Sequence, residues 1–94
     1  MKEIHLQDTP YYCQVADADL VVSEYEIGDY CGSGEALVYR KGLVEYWNLS
    51  HCSCYGPFDG GPTRTITLDD CKQENSTVLA QWSDKLGYTF LANL

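Results

Sequence analysis

Residues 51 to 61 read HCSCYGPFDGG and place one histidine and two cysteines within four consecutive positions. Thiolate and imidazole are the ligands that Zn²⁺ takes in tetrahedral sites. His51, Cys52 and Cys54, with Cys71 further along the chain, are therefore candidate ligands of a small zinc-binding module. The usual structural zinc signature has two ligand pairs, whereas this segment has a single Cys-x-Cys pair. Our first interpretation is that the motif shapes the end of a strand and that the protein has no cofactor. A bound zinc ion is the alternative interpretation.

The same motif also raises the question of nucleophilic catalysis. A cysteine thiolate needs a hydrogen-bonding or positively charged neighbour, and His51 would reach Cys31 if the two segments lay side by side. No oxyanion motif and no third, orienting group accompany this pair in the sequence. A cysteine-dependent enzyme is accordingly the third interpretation, and we expect the protein not to be an enzyme.

Acidic residues are concentrated between positions 17 and 35. Alternation along a strand would project Glu24 and Glu26 from one face about 7 Å apart, a spacing comparable with successive phosphates on a DNA strand. A solvated polar face that keeps a small protein soluble is the plainer explanation. If the acidic surface is functional, it predicts a partner-binding site made of Asp17, Asp19, Glu24, Glu26, Asp29 and Glu35.

The overall charge restricts the partner classes. In 94 residues, 14 Asp and Glu oppose six Lys and Arg, and the formal net charge is -8. Phosphate backbones and anionic lipid surfaces would repel such a chain, so we expect no direct nucleic-acid binding and no membrane binding. A basic protein partner is favoured instead, including a nucleic-acid-binding protein.

The length is that of a single domain, residues 1 to 94, and the N-terminal residues MKEIHLQDTP do not resemble a signal peptide. We therefore expect a cytoplasmic protein. The cysteine count is five, an odd number, and thiols in a reducing compartment stay reduced, bind metal or lie buried as small apolar groups.

Two β-prone segments are the clearest structural signals. Residues 20 to 27, LVVSEYEI, predict a strand with one acidic face. Residues 35 to 49 set two apolar runs around Lys41-Gly42 and predict a tight hairpin. Between them, GDYCGSG at 28 to 34 indicates a turn or a segment whose backbone approaches another group closely.

The remaining segments predict smaller elements. Residues 1 to 7 fit an edge strand, residues 11 to 18 one or two helical turns, and residues 63 to 68 a short strand. Apolar spacing then predicts a helix over 68–86, opened by a Thr67-x-x-Asp70 capping box, ending before Gly87 and with a potential break at 74 to 77. The final YTFLANL predicts a last strand. The expected fold is α+β, an antiparallel sheet of three to five strands with one helix from the C-terminal half packed across it.

The segment GDYCGSGEALVYRKGLVEYWNLSHCSCYGPFD, residues 28 to 59, resembles small uncharacterised proteins encoded by bacteriophages and prophages, in which a GSG turn leads into a hairpin and then HCSCYG. The resemblance implies a phage protein acting in the host bacterial cytosol. Small acidic phage proteins commonly bind and block a host enzyme or a defence complex. The first functional interpretation is therefore an interaction protein that inhibits a host or defence nucleic-acid-binding protein through its acidic surface.

Overall fold

The computed structural model describes residues 2–10, 13–52, 55–73 and 77–94. Within these ranges, five strands form one sheet in the order β1-β2-β3-β4-β5, and three helices follow them along the chain. β1 and β2 are parallel, and the other neighbours are antiparallel. The predicted α+β fold is confirmed. The strands are β1 Lys2–Gln7, β2 Leu20–Ile27, β3 Gly32–Arg40, β4 Leu43–His51 and β5 Arg64–Thr67; the helices are α1 Leu68–Gln73, α2 Thr77–Trp82 and α3 Asp84–Ala92.

The predicted central hairpin is the best-specified part of the sheet. Arg40 pairs with Leu43, and the two turn residues between them, Lys41 and Gly42, have φ values of 52° and 76°. Positive φ at both positions is typical of the two-residue turn whose twist matches that of the flanking strands. β4 continues two residues past the predicted end, so His51 belongs to the sheet and not to the following loop.

Each face of the sheet carries its own apolar core, because successive side chains of a strand point to opposite faces. The helix face packs against the three helices through Leu20, Val22, Leu37, Val44, Cys71, Leu79, Leu86 and Phe90. The loop face is covered by a short 3-10 segment, Cys13–Val15, and by the segment after β4. Its core consists of Val15, Ala18, Val21, Tyr25, Ala36, Val38, Trp47, Leu49 and Phe58.

Gly34 explains part of the glycine-rich segment that precedes the hairpin. A Cβ atom at Gly34 would overlap the carbonyl oxygen of Glu24 and lie 2.8 Å from the Cα atom of Tyr25. The predicted close backbone approach is therefore present, and it occurs inside the sheet. Only residues 28 to 31 form a turn, because β3 begins at Gly32.

The C-terminal part differs from the prediction. The expected helix over 68–86 is divided into α1 and α2, with residues 74 to 76 outside the described ranges, and α3 begins after Ser83. Gly87 does not end a helix; it lies within α3, where a Cβ atom would approach the Leu79 backbone to 3.2 Å. The predicted last strand is wrong, since Tyr88 to Ala92 belong to α3. No helix among the described residues is long and apolar enough to span a membrane.

The smaller predictions are largely confirmed. β1 is an edge strand, and β5 lies within the predicted residues 63 to 68. The backbone N–H of Asp70 donates to the Thr67 hydroxyl at 3.1 Å, as the capping box predicts. Of the predicted helical turns at 11 to 18, the 3-10 segment is described, whereas Tyr11 and Tyr12 lie outside the described residues.

Candidate functional site

An acidic cavity of about 360 Å³ opens where β2 and β3 run past the helices. Its acidic side chains, Glu24, Glu26 and Glu35, are two or four residues from Val22 or Leu37 on the same strand and therefore point to the same side, the helix face. The full lining is Gln7, Glu24, Tyr25, Glu26, Ser33, Gly34 and Glu35.

The sheet register brings the three carboxylates of the acidic cavity together. Glu24 is directly opposite Glu35 across the antiparallel pair of β2 and β3. Residues in such pairs have Cβ atoms about 5 Å apart, and like charges placed there repel each other. Glu26 follows two residues along the same face, about 7 Å from Glu24. The folded protein therefore holds three carboxylates close together in the cavity although they repel one another.

Neighbouring side chains offset part of this repulsion. The Lys85 ammonium lies 3.0 Å from Glu24, and the hydroxyls of Tyr46 and Ser83 each donate to a different carboxylate oxygen of Glu35 at 2.6 Å. Burial, together with the hydrogen bond to Glu35, raises the pKa of Tyr46 to about 12. Glu26 is exposed and has no hydrogen-bond or ion-pair partner among the described residues. It is the carboxylate of this site that remains available to a ligand.

The other predicted acidic residues do not join this site. Asp17 and Asp19 lie beside the start of β2, roughly 23 Å along the strand from Glu26. Asp17 is paired with Arg40 at 3.1 Å and Lys41 at 3.6 Å, and the hydrogen bond from Arg40 lowers the pKa of its carboxyl. Asp29 is exposed in the turn beyond the opposite end of β2. The six predicted residues therefore do not form one continuous surface.

The histidine and the cysteines at the end of β4 have different partners from those expected. His51 pairs in register with Gly32, and its Nδ1 shares a hydrogen bond with the Tyr25 hydroxyl. The two rings stack with centroids 5.6 Å apart. The Cys31 sulfur lies 3.2 Å from the Cys52 sulfur, and the hydrogen bond between these thiols raises the pKa of Cys31. A raised thiol pKa disfavours the thiolate that a cysteine nucleophile requires.

The predicted zinc ligands are not all brought together. Cys71 is fully buried in the helix-face core, whereas Cys52 lies at the exposed end of the β3–β4 hairpin. The structure therefore does not bring Cys71 together with His51 and Cys52. Cys54 lies outside the described residues. Among the residues that the structure does describe, no three His, Cys, Asp or Glu side chains are grouped so as to hold a metal ion.

Sequence reasoning missed the Cys31–Cys52 pair, although a signal for it was present. The hairpin around Lys41-Gly42 fixes the register, and counting outward from this turn places Cys31 opposite Cys52. It also missed Phe58, which is buried and packs edge-on against Trp47 with ring centroids 5.0 Å apart.

No protein-family model, curated protein or solved structure matches this chain.

Proposed function

We propose that the protein is a non-enzymatic interaction protein that binds a basic protein partner through the acidic cavity. The observation that carries the proposal is the direct apposition of Glu24 and Glu35, with the unpaired Glu26 beside them, in a concave part of the surface. A lysine or arginine side chain entering the cavity would relieve the repulsion that Lys85 at Glu24 and the hydroxyls of Tyr46 and Ser83 at Glu35 offset only in part. The repulsion among the carboxylates of the free protein would therefore favour binding of a positively charged side chain.

The charge of the whole chain supports a partner with a basic groove. A net charge of -8 speeds association with a basic surface and slows encounter with acidic ones. Glu24 and Glu26 stand about as far apart as successive phosphates on one DNA strand. We accordingly propose a host or defence nucleic-acid-binding protein as the partner class and inhibition by occupation of its groove as the action, in the phage setting that the sequence resemblance implies.

A labelled oligoarginine peptide provides a first probe of the cavity. We expect Glu26→Gln to weaken binding of the peptide about fivefold, because the substitution removes the negative charge and leaves the shape of the side chain unchanged. Asp19→Asn is the matched control, since it removes the same charge from an exposed residue beside the other end of β2. Fluorescence anisotropy titrations at two salt concentrations measure both effects. Equal weakening by the two variants would show that only net charge matters and would contradict a defined site.

A further inference from the structure

We propose that Cys31 and Cys52 are a redox-active pair that forms a reversible disulfide bond by exchange with a low-molecular-weight disulfide. This modification site is independent of the acidic cavity. In the structure both side chains are free thiols, with their sulfur atoms 3.2 Å apart.

The backbone register suits a disulfide between these two residues. Gly32 and His51 are the outermost paired residues of β3 and β4, and Cys31 and Cys52 are the residues immediately beyond this pair on the two chain segments. Directly opposite residues of antiparallel strands have Cα atoms about 4.5 to 5.5 Å apart. Disulfide bonds form at Cα separations of about 4.4 to 6.8 Å. The bond therefore requires a small rotation of the two side chains and no movement of a strand.

Backbone hydrogen bonds hold both cysteines in this arrangement. The Gly28 N–H donates to the Cys31 carbonyl at 2.6 Å, which closes the turn between β2 and β3. The backbones of Cys52 and Tyr55 exchange hydrogen bonds of 3.3 and 3.4 Å, which fix Cys52 at the end of β4. Cys31 is exposed and Cys52 half-buried, so an oxidant reaches the pair, whereas Cys71 is fully buried.

The exchange is balanced with oxidised glutathione as the oxidant. The thiolate of one cysteine attacks a glutathione sulfur, forms a mixed disulfide and releases one glutathione thiolate. The second cysteine, after losing its proton, attacks the protein sulfur of that mixed disulfide and releases the second glutathione. Two protein thiols are thereby oxidised to one disulfide, and one glutathione disulfide is reduced to two thiols. Because the hydrogen bond between the thiols raises the pKa of Cys31, the reaction should accelerate as the pH rises.

The experiment is oxidation of the reduced, purified chain with excess oxidised glutathione, followed by alkylation and mass spectrometry. We expect the chain to lose two of its five free thiols and the mass of two hydrogen atoms. Peptide mapping with fragmentation should find Cys31 linked to Cys52, and dithiothreitol should restore both thiols. A linkage to another cysteine, a stable glutathione adduct alone, or no reaction would overturn the proposal.

Matched variants test the assignment in the intact chain. Cys31→Ser and Cys52→Ser should each abolish the intramolecular disulfide. Cys13→Ser removes the cysteine that precedes Cys31 in the sequence, and Cys54→Ser removes the one that follows Cys52; both variants should still form the disulfide. Circular dichroism of each reduced variant verifies folding, and the mapped linkage in the unsubstituted chain decides the matter if a variant fails to fold. Loss of the disulfide in Cys54→Ser but not in Cys52→Ser would show that Cys54 is the partner and would refute the proposed pairing of Cys31 with Cys52.

Discussion

Glu45 is a carboxylate held almost out of water on the loop face of the sheet. Its side chain is 9% exposed and accepts hydrogen bonds of 3.1 Å from both Arg40 and the Trp47 indole. The Arg40 guanidinium also lies 5.9 Å from the centre of the Trp47 ring. A buried carboxylate is tolerated when it is paired and hydrogen-bonded, and it becomes costly when a partner is removed. Arg40 therefore stabilises the fold mainly by neutralising Glu45.

Replacing Arg40 tests this view at the scale of single residues. Arg40→Met retains a long apolar stem but leaves Glu45 without its counter-charge, and we expect a loss of about 3 kcal/mol in the free energy of unfolding. Urea denaturation measures the change. Adding Glu45→Met to the same chain should recover part of the loss, because no unpaired charge then remains.

Lys85→Met is the matched control for Arg40→Met. It also removes a positively charged side chain from an ion pair, but Lys85 is 63% exposed and its partner Glu24 33% exposed. Exposed pairs contribute about 0 to 1 kcal/mol. If Lys85→Met proved as destabilising as Arg40→Met, burial would not be the reason for the effect.

At the scale of elements, the start of α3 is fastened to the sheet through Glu35. Ser83 is the N-cap of α3: its hydroxyl oxygen accepts the Leu86 N–H at 3.3 Å and its hydroxyl donates to Glu35. Tyr46 on β4 donates to the other oxygen of the same carboxylate. One side chain of β3 thus links the neighbouring strand with the beginning of the last helix.

This link predicts a dependence of stability on alkaline pH. The pKa of Tyr46 is raised from 10 to about 12 in the folded protein, so the protonated hydroxyl is favoured by folding. Its contribution is fully present below pH 10 and is lost as the pH rises from 10 to about 12. We expect the difference in unfolding free energy between the original chain and Tyr46→Phe to shrink over that range. Urea denaturation with reductant present, repeated on both proteins, measures it; a constant difference would contradict the shifted pKa.

The elements that were predictable from sequence are those with strong local signals. Lys41-Gly42 between two β-prone runs specified both the hairpin and its register, and the pattern of residues 20 to 27 specified β2 with its observed bounds. The C-terminal helices were less predictable because tertiary packing decides the role of Gly87. Glycine commonly follows the end of a helix, but here it permits α3 to approach the Leu79 backbone.

At the scale of the whole molecule, the candidate site was predictable only in part. Alternation along β2 correctly placed Glu24 and Glu26 on one face. The apposition of Glu24 with Glu35 could not be predicted without knowing that the chain reverses at residues 28 to 31, so that β3 pairs antiparallel with β2. Cys71 is distant from Cys52 because α1 starts beside the Lys41-Gly42 turn, at the opposite end of β4, and no local pattern specifies where α1 lies. Clusters in sequence become clusters in space only when strand length and packing allow it.

The charge of the whole chain leads to a final prediction. With 14 acidic residues against six Lys and Arg, repulsion among carboxylates destabilises the compact state, and salt screens it. We expect sodium chloride to raise the unfolding free energy by about 1 kcal/mol, which for a domain of this size corresponds to a Tm increase of about 5 °C. Thermal denaturation across a salt series measures the increase. Glu26→Gln should show a smaller increase, because it removes an unpaired charge beside Glu24, whereas a Tm that fell with salt would show that the ion pairs of Arg40 and Lys85 outweigh the repulsion.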